Sequence, residues 1–260
     1  MKIGVAQWCL DVDGVASLDR AAEFGLSALH VSGGAVLFED ASLQAEYVGA
    51  SRRTGVRMTM LSLNCVLRSG SLMEQETRRH VARTFEAAIR AAVNMGIGIV
   101  YLPSFVDLEI KTEQELQLTA DILGEACRFA ADKPVLVATE NSLGVEELEQ
   151  LFESVGEPNF RLFFDTQNPI LWNHDPVKII RRFSDRMCDQ VHIKDGIDGQ
   201  MGNAPLFEGQ GRLTETIAVL NEVGFSGDLV LENYSQTDAD INLPRDIAAL
   251  RNILSKDLNR

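Results

Sequence analysis

The 260-residue sequence predicts an α/β fold, a single (β/α)8 TIM barrel that takes residues 1–260 as one domain. Three observations lead there. Short apolar runs alternate eight times with longer segments of helical spacing, which implies parallel strands joined by helical crossovers. The length suits eight such units closed on themselves. The first strand is not followed by GxGxxG, and the chain carries no phosphate-loop lysine motif, so an open doubly wound sheet fits less well.

The elements follow in order. Residues 3–7, within "MKIGVAQW", form the first strand, and residues 18–24 its helix, ended by the glycine of "EFG". Residues 28–32 and 42–54 make the second unit, and residues 57–63 and 73–95 the third, whose helix stops at the glycine of "NMG". A glycine just past a helix supplies the left-handed conformation that the chain needs to turn away. Residues 97–102 with 112–131 and residues 135–139 with 145–154 are the fourth and fifth units. The sixth pairs residues 161–164 with 176–184, where Asp175 reads as an N-cap and Pro176 as the first helical residue. Residues 190–193 with 213–223, ended by "EVG", and residues 229–231 with 244–256 complete the set. No low-complexity tract or Pro/Gly/Ser linker divides the chain.

Composition narrows the function classes. A net charge of −14 disfavours nucleic acid as a partner, because phosphate binding relies on clustered Lys and Arg. Nothing is apolar for long enough to span a membrane, and no leader precedes Ile3, so the expectation is a cytoplasmic protein. Cys9, Cys65, Cys127 and Cys188 form no CxxC pair and read as reduced, mostly buried small hydrophobes.

In a barrel of this type, function gathers where the strands end. The fifth strand runs into Glu140 in "VLVATEN", the sixth into Asp165 in "LFFDTQN", the seventh carries His192 in "QVHIKD", and the eighth reaches Glu232 in "LVLENY". Each has an ordinary reading by itself. Asp165 suits a turn cap before Pro169, either glutamate suits an arginine on a neighbouring strand, and His192 suits the core. Their coincidence on four successive strands points to a metal site. Three carboxylates with one imidazole suit a divalent ion, Mn2+, Mg2+ or Co2+, with Zn2+ also accommodated. Without a cation the carboxylates would repel one another.

These pieces carry a resemblance. The chain resembles the sugar phosphate isomerase/epimerase family, the xylose isomerase-like TIM barrels that also include endonuclease IV-type repair enzymes. The matching stretches are "AAEFGLSALHVSG", "AAVNMGIGIVYLPS", "ATEN", "FFDTQNP", "VHIKD", "FEGQGRL" and "GFSGDLVLENY", in the family's order along nearly the whole chain. The resemblance implies Glu140, Asp165, His192 and Glu232 as ligands of one divalent ion, with Mn2+ the first choice. It implies a small carbohydrate substrate and a homodimer or homotetramer. It also implies proton transfer between Glu140 and Glu232 through a metal-stabilised enediolate, giving epimerisation or aldose–ketose isomerisation. A dehydratase acting on an inositol-like ketone is the alternative from the same enolate chemistry.

Further candidates come from position. Many relatives have histidine where this chain has Asn168, and an amide orients a hydroxyl but takes up no proton at neutral pH. Lys194 shares a sheet face with His192 and is a candidate for a substrate anion or for a salt bridge with Asp195. Asp195 is a candidate to hold a metal ligand in place. Trp8 and His30, near the ends of strands one and two, are candidate substrate contacts. Gly209 and Gly211 offer close backbone approach, with Arg212 as a candidate anion contact. A repair endonuclease needs several more histidines than His30, His80, His174 and His192.

Overall fold

The computed structural model describes residues 1–233 and 238–257, and the side chains of the last two of these are left aside. Tyr234, which ends the "LVLENY" motif, lies outside the described residues. Eight parallel strands close in chain order, each paired with its neighbours and the eighth with the first. They are β1 (Ile3–Ala6), β2 (Ala28–Ser32), β3 (Arg57–Ser62), β4 (Ile99–Pro103), β5 (Leu136–Glu140), β6 (Phe160–Asp165), β7 (Met187–Ile193) and β8 (Asp228–Leu231). The expected (β/α)8 TIM barrel is the observed fold.

The helices are α1 (Ala16–Glu23), α2 (Ala35–Glu39), α3 (Ala41–Thr54), α4 (Gln75–Met95), α5 (Glu113–Ala130), α6 (Val145–Val155), α7 (Asn168–Leu171), α8 (Pro176–Phe183), α9 (Leu213–Glu222) and α10 (Ala239–Asp257). Expected signals act where they stand. Gly25, Gly96 and Gly224 take positive φ just after α1, α4 and α9, and the Asp175 side chain accepts from Val177 N at 3.0 Å to start α8. That helix turns Val177, Ile179, Ile180 and Phe183 towards the sheet and leaves Arg181 and Arg182 outside.

Two boundaries differ from expectation by more than two residues. Strand β7 begins at Met187, because Cys188 and Gln190 point into the barrel and only Asp189 is exposed. Helix α10 begins at Ala239, five residues before Pro244, the expected helix start. The interrupted hydrogen-bond ladder falls by Asp240 and Ile241, both exposed, where water can serve the freed carbonyl. Among the described residues no helix is long and apolar enough to cross a membrane.

Strand alternation sorts the side chains into two cores. One set packs between sheet and helices. The other fills the barrel: Met60, Ile99, Tyr101, Ala138, Phe163 and Cys188, with Trp8 and Leu136 against them. Ala138 and Phe163 lie two residues before Glu140 and Asp165, so the same inward-facing rows that build the apolar floor end in carboxylates.

Candidate metal centre

Because all eight strands run the same way, the ends of β5, β6, β7 and β8 open on one mouth. Register aligns them: Asp165 pairs with His192, His192 with Val230, and Glu232 N donates to Ile193 O at 3.0 Å. Glu140, Asp165, His192 and Glu232 each bring one donor atom into a group whose members all lie within 4.8 Å of one another. Among the described residues this is the one such group. The opposite mouth has a cavity of about 720 Å³, but its Arg57 is already paired with Asp228 at 2.6 Å.

Each ligand candidate is held by its surroundings. Asp165 Oδ1 accepts from Gln167 N at 2.8 Å and Asn168 N at 2.6 Å, while Oδ2 is buried without a hydrogen-bond partner. One oxygen thus caps the turn before Pro169, and the other faces the cluster. Asn168 Nδ2 donates to Glu140 Oε1 at 2.8 Å, and Asn168 Oδ1 is buried with no partner. Trp8 Nε1 donates to Glu232 Oε1 at 2.9 Å, and its indole meets His192 edge-on. His192 Nδ1 lies 3.2 Å from Glu232 Oε2 and 3.5 Å from Glu140 Oε1, without an aligned hydrogen bond to either.

Charge is concentrated here. Lys194 Nζ reaches Glu232 Oε2 at 2.6 Å and Asp165 Oδ2 at 3.3 Å. Burial opposes its charge, but Asp165, Glu232 and Glu140 together keep the ammonium protonated far above the ordinary lysine range. Burial also opposes charge on His192, yet Glu232 and Glu140 outweigh it and push the imidazole up to about 9. Burial raises Asp165 to about 7, with Lys194 pulling the other way and Glu140 and Glu232 adding to the rise. Burial would raise Glu232 as well, but His192 and Lys194 prevail and hold it well below the usual carboxylate range.

These residues fit a divalent ion. In formal charge, three carboxylates face Lys194 and a protonated His192, one positive charge short of balance. A divalent ion beside a neutral imidazole would close the gap. Asp165 Oδ2 and His192 Nδ1, buried and without a hydrogen bond, are donor atoms of the kind such an ion takes.

Other candidates have partners of their own. His30 is fully buried between His192 Nε2, 3.1 Å from its Nδ1, and Gln190 Oε1, 2.5 Å from its Nε2, so both ring nitrogens are engaged behind the cluster. Asp195 does not support a metal ligand; its carboxylate accepts backbone N–H groups of Gly196, Phe207, Gly209 and Gly211. Gly209 and Gly211 are required for that approach, since a Cβ at either would press on the Asp195 carboxylate. Arg212 is paired with Asp175 at 3.2 Å and Glu215 at 2.7 Å, which leaves it outside the cluster. Sequence reasoning passes over Gln190, although its place two residues before His192 puts it on the same inward row.

Comparison with known proteins settles the family. A model of the xylose isomerase-like TIM barrel matches residues 18–253. The chain belongs to that family. It is 28% identical over 228 residues, 84% of this chain and 82% of the other, to a 2-epi-5-epi-valiolone 7-phosphate 2-epimerase of Actinoplanes sp.. It is 24% identical over 201 residues, 74% of this chain and 70% of the other, to the L-ribulose-5-phosphate 3-epimerase UlaE of Shigella flexneri. Among solved structures, the IOLI protein with a bound zinc atom superposes with a TM-score of 0.80 at 15% identity, over 98% of this chain and 99% of that one. The 3-keto-D-glucoside 4-epimerase of E. coli does so at 0.78 and 15%, over 97% and 99%.

Proposed function

We propose that the protein is a divalent-metal-dependent epimerase or isomerase of a ketose, sugar acid or related polyhydroxy ketone, with Glu140 and Glu232 as its proton carriers. The observation that carries this reading is the convergence of those two glutamates, from strands three places apart, on one cluster with Asp165 and His192. The epimerase names of the two sequence relatives support the same reaction class. A divalent ion held by Glu140, Asp165, His192 and Glu232, Mn2+ foremost, would polarise a substrate carbonyl and its neighbouring hydroxyl and acidify the C–H between them.

The remaining work falls to the chain. One glutamate takes the proton from one face of the reacting carbon, and the other returns a proton to the opposite face. Trp8 and Lys194 each hold one oxygen of Glu232, and Asn168 holds Glu140, so both carboxylates arrive oriented. Asn168 Oδ1, buried without a partner, is positioned to accept from a substrate hydroxyl. The Trp8 indole supplies an apolar wall beside Glu232.

Incubation with a ketose and keto-acid panel in heavy water tests this, with Mn2+, Mg2+ or Co2+ supplied. The expected product has an unchanged formula and carries solvent deuterium at the reacting carbon. Loss of water would assign the dehydratase reaction instead, and no exchange on any substrate would overturn the enzyme reading. Glu140→Gln and Glu232→Gln should each lower kcat by about 10²–10⁴-fold.

A further inference from the structure

The donor and acceptor roles behind His192 can be worked out from a fixed end. Gln190 Nε2 lies 3.0 Å from the backbone carbonyl of Thr59, which only accepts, so the amide nitrogen faces Thr59 and Oε1 faces His30. Gln190 Oε1 also only accepts, and therefore His30 carries its proton on Nε2. His30 is fully buried, edge-on to Phe163 with ring centroids 5.5 Å apart, and among the described residues its ring nitrogens meet His192 and Gln190 rather than a carboxylate. A neutral ring with Nε2–H has a bare Nδ1, and that atom lies 3.1 Å from His192 Nε2. His192 must then donate from Nε2, which leaves Nδ1 as the atom turned to Glu232 and Glu140.

We propose that His30 and Gln190 are positioning residues, a buried hydrogen-bond chain that runs from the Thr59 carbonyl and sets His192 in the tautomer whose Nδ1 lone pair faces the carboxylate cluster. The proposal rests on the cation-site reading for its consequence, and on hydrogen bonds alone for its geometry. The chain crosses the barrel interior, since His30 is on β2 and both partners are on β7. It does what a partner behind a metal-bound histidine does: it fixes which nitrogen is bare and stops the ring from rotating.

The test uses full-length protein with ¹⁵N-labelled histidine. In both the zinc-free protein, held above the His192 titration, and the zinc-loaded protein, the expected spectrum has protons on Nε2 of His30 and of His192, with Nδ1 of His30 bare. A proton on Nδ1 of either neutral ring would overturn the chain. That outcome stands whether or not zinc binds, so it is separable from failure of the cation-site reading, which would appear as no zinc uptake by the unaltered protein.

Calorimetric titration with Zn2+ gives the second readout. His30→Phe and Gln190→Met should each weaken zinc binding by about 10–100-fold. The two together should be no worse than His30→Phe alone, because both break one chain. His30→Asn, whose amide oxygen can still accept from His192 Nε2, should retain most of the affinity. Equal losses for the Phe and Asn variants, or no loss for Phe and Met, would reduce His30 to packing and overturn the proposal. Should His30→Phe fail to fold, Gln190→Met and the unaltered protein's spectrum decide the matter.

Discussion

At Asp165 the two oxygens of one carboxylate have separate tasks, and the two polar atoms of the Asn168 amide differ in the same way. Asp165 Oδ1 accepts from two backbone N–H groups while Oδ2 lies beside Lys194, and Asn168 Nδ2 donates to Glu140 while its Oδ1 is buried without a partner. The proton balance of the cluster gives a pH prediction. His192 stands at about 9 in the folded protein against 6.5 for an ordinary histidine, so its stabilising effect is complete below 6.5 and fades as pH rises through 9. Asp165 stands at about 7 against 3.8, so between those values the folded state holds a proton that the unfolded chain has released, and stability again falls as pH rises. Glu232 is depressed, so its contribution is present above 4.5 and is lost only in acid. The metal-free protein should therefore show a Tm that declines steadily from about pH 6 to pH 9. A saturating divalent ion displaces those protons and should flatten the decline. Thermal melts across this range, with and without EDTA, make the measurement; a flat metal-free profile would contradict it.

Among the elements, the loop between β7 and α9 depends most on one side chain. Asp195 accepts four backbone N–H groups at 2.9–3.1 Å, and Asn233 Oδ1 accepts from Asp195 N at 3.0 Å, which ties the loop to the end of β8. Asp195→Ala strips the partners from several N–H groups at once, each costing about 1–3 kcal/mol when left buried. We expect a loss on the order of 3 kcal/mol in urea unfolding, with proteolytic cleavage appearing between residues 196 and 212. Gly209→Ala should show the same cleavage pattern, because its added methyl occupies the space of the Asp195 carboxylate. Unchanged stability in both variants would mean that the loop has other anchors. The helices behave as amphipathic covers, and the αL glycines behind α3, α4 and α6 are positions where any other residue would be strained.

On the scale of the whole molecule, the barrel imports charge into its own interior and is stabilised by whatever neutralises it. Lys194 is 3% exposed and the other buried cation candidate, His192, is fully enclosed, so neither is screened by water as surface pairs are. Occupation by a divalent ion at about 100 times its Kd should add roughly 2.7 kcal/mol of stability. For a chain of this size that corresponds to a rise in Tm of roughly 5–10 °C, lost again on chelation. Differential scanning calorimetry with Mn2+, Mg2+, Co2+ and Zn2+ reads it directly and ranks the ions. An ion-independent Tm would remove the cluster's claim to be a metal centre.

Eight apolar runs separated by helical segments were enough to specify the barrel, because period-two and period-3.6 patterns record which faces must leave water. The polar residues that end the last four strands were equally legible, since parallel strands deliver their ends to one mouth. Contact across the barrel was not legible. That His30 backs His192, that Asp195 gathers four loop amides and that Arg212 is already paired with Asp175 and Glu215 are facts of distance between residues far apart in the chain. Sequence alone determined which residue types stand at the strand ends. The closure of the barrel decided which atom of each one turns inward, because only packing across the interior fixes the direction of a donor or a lone pair.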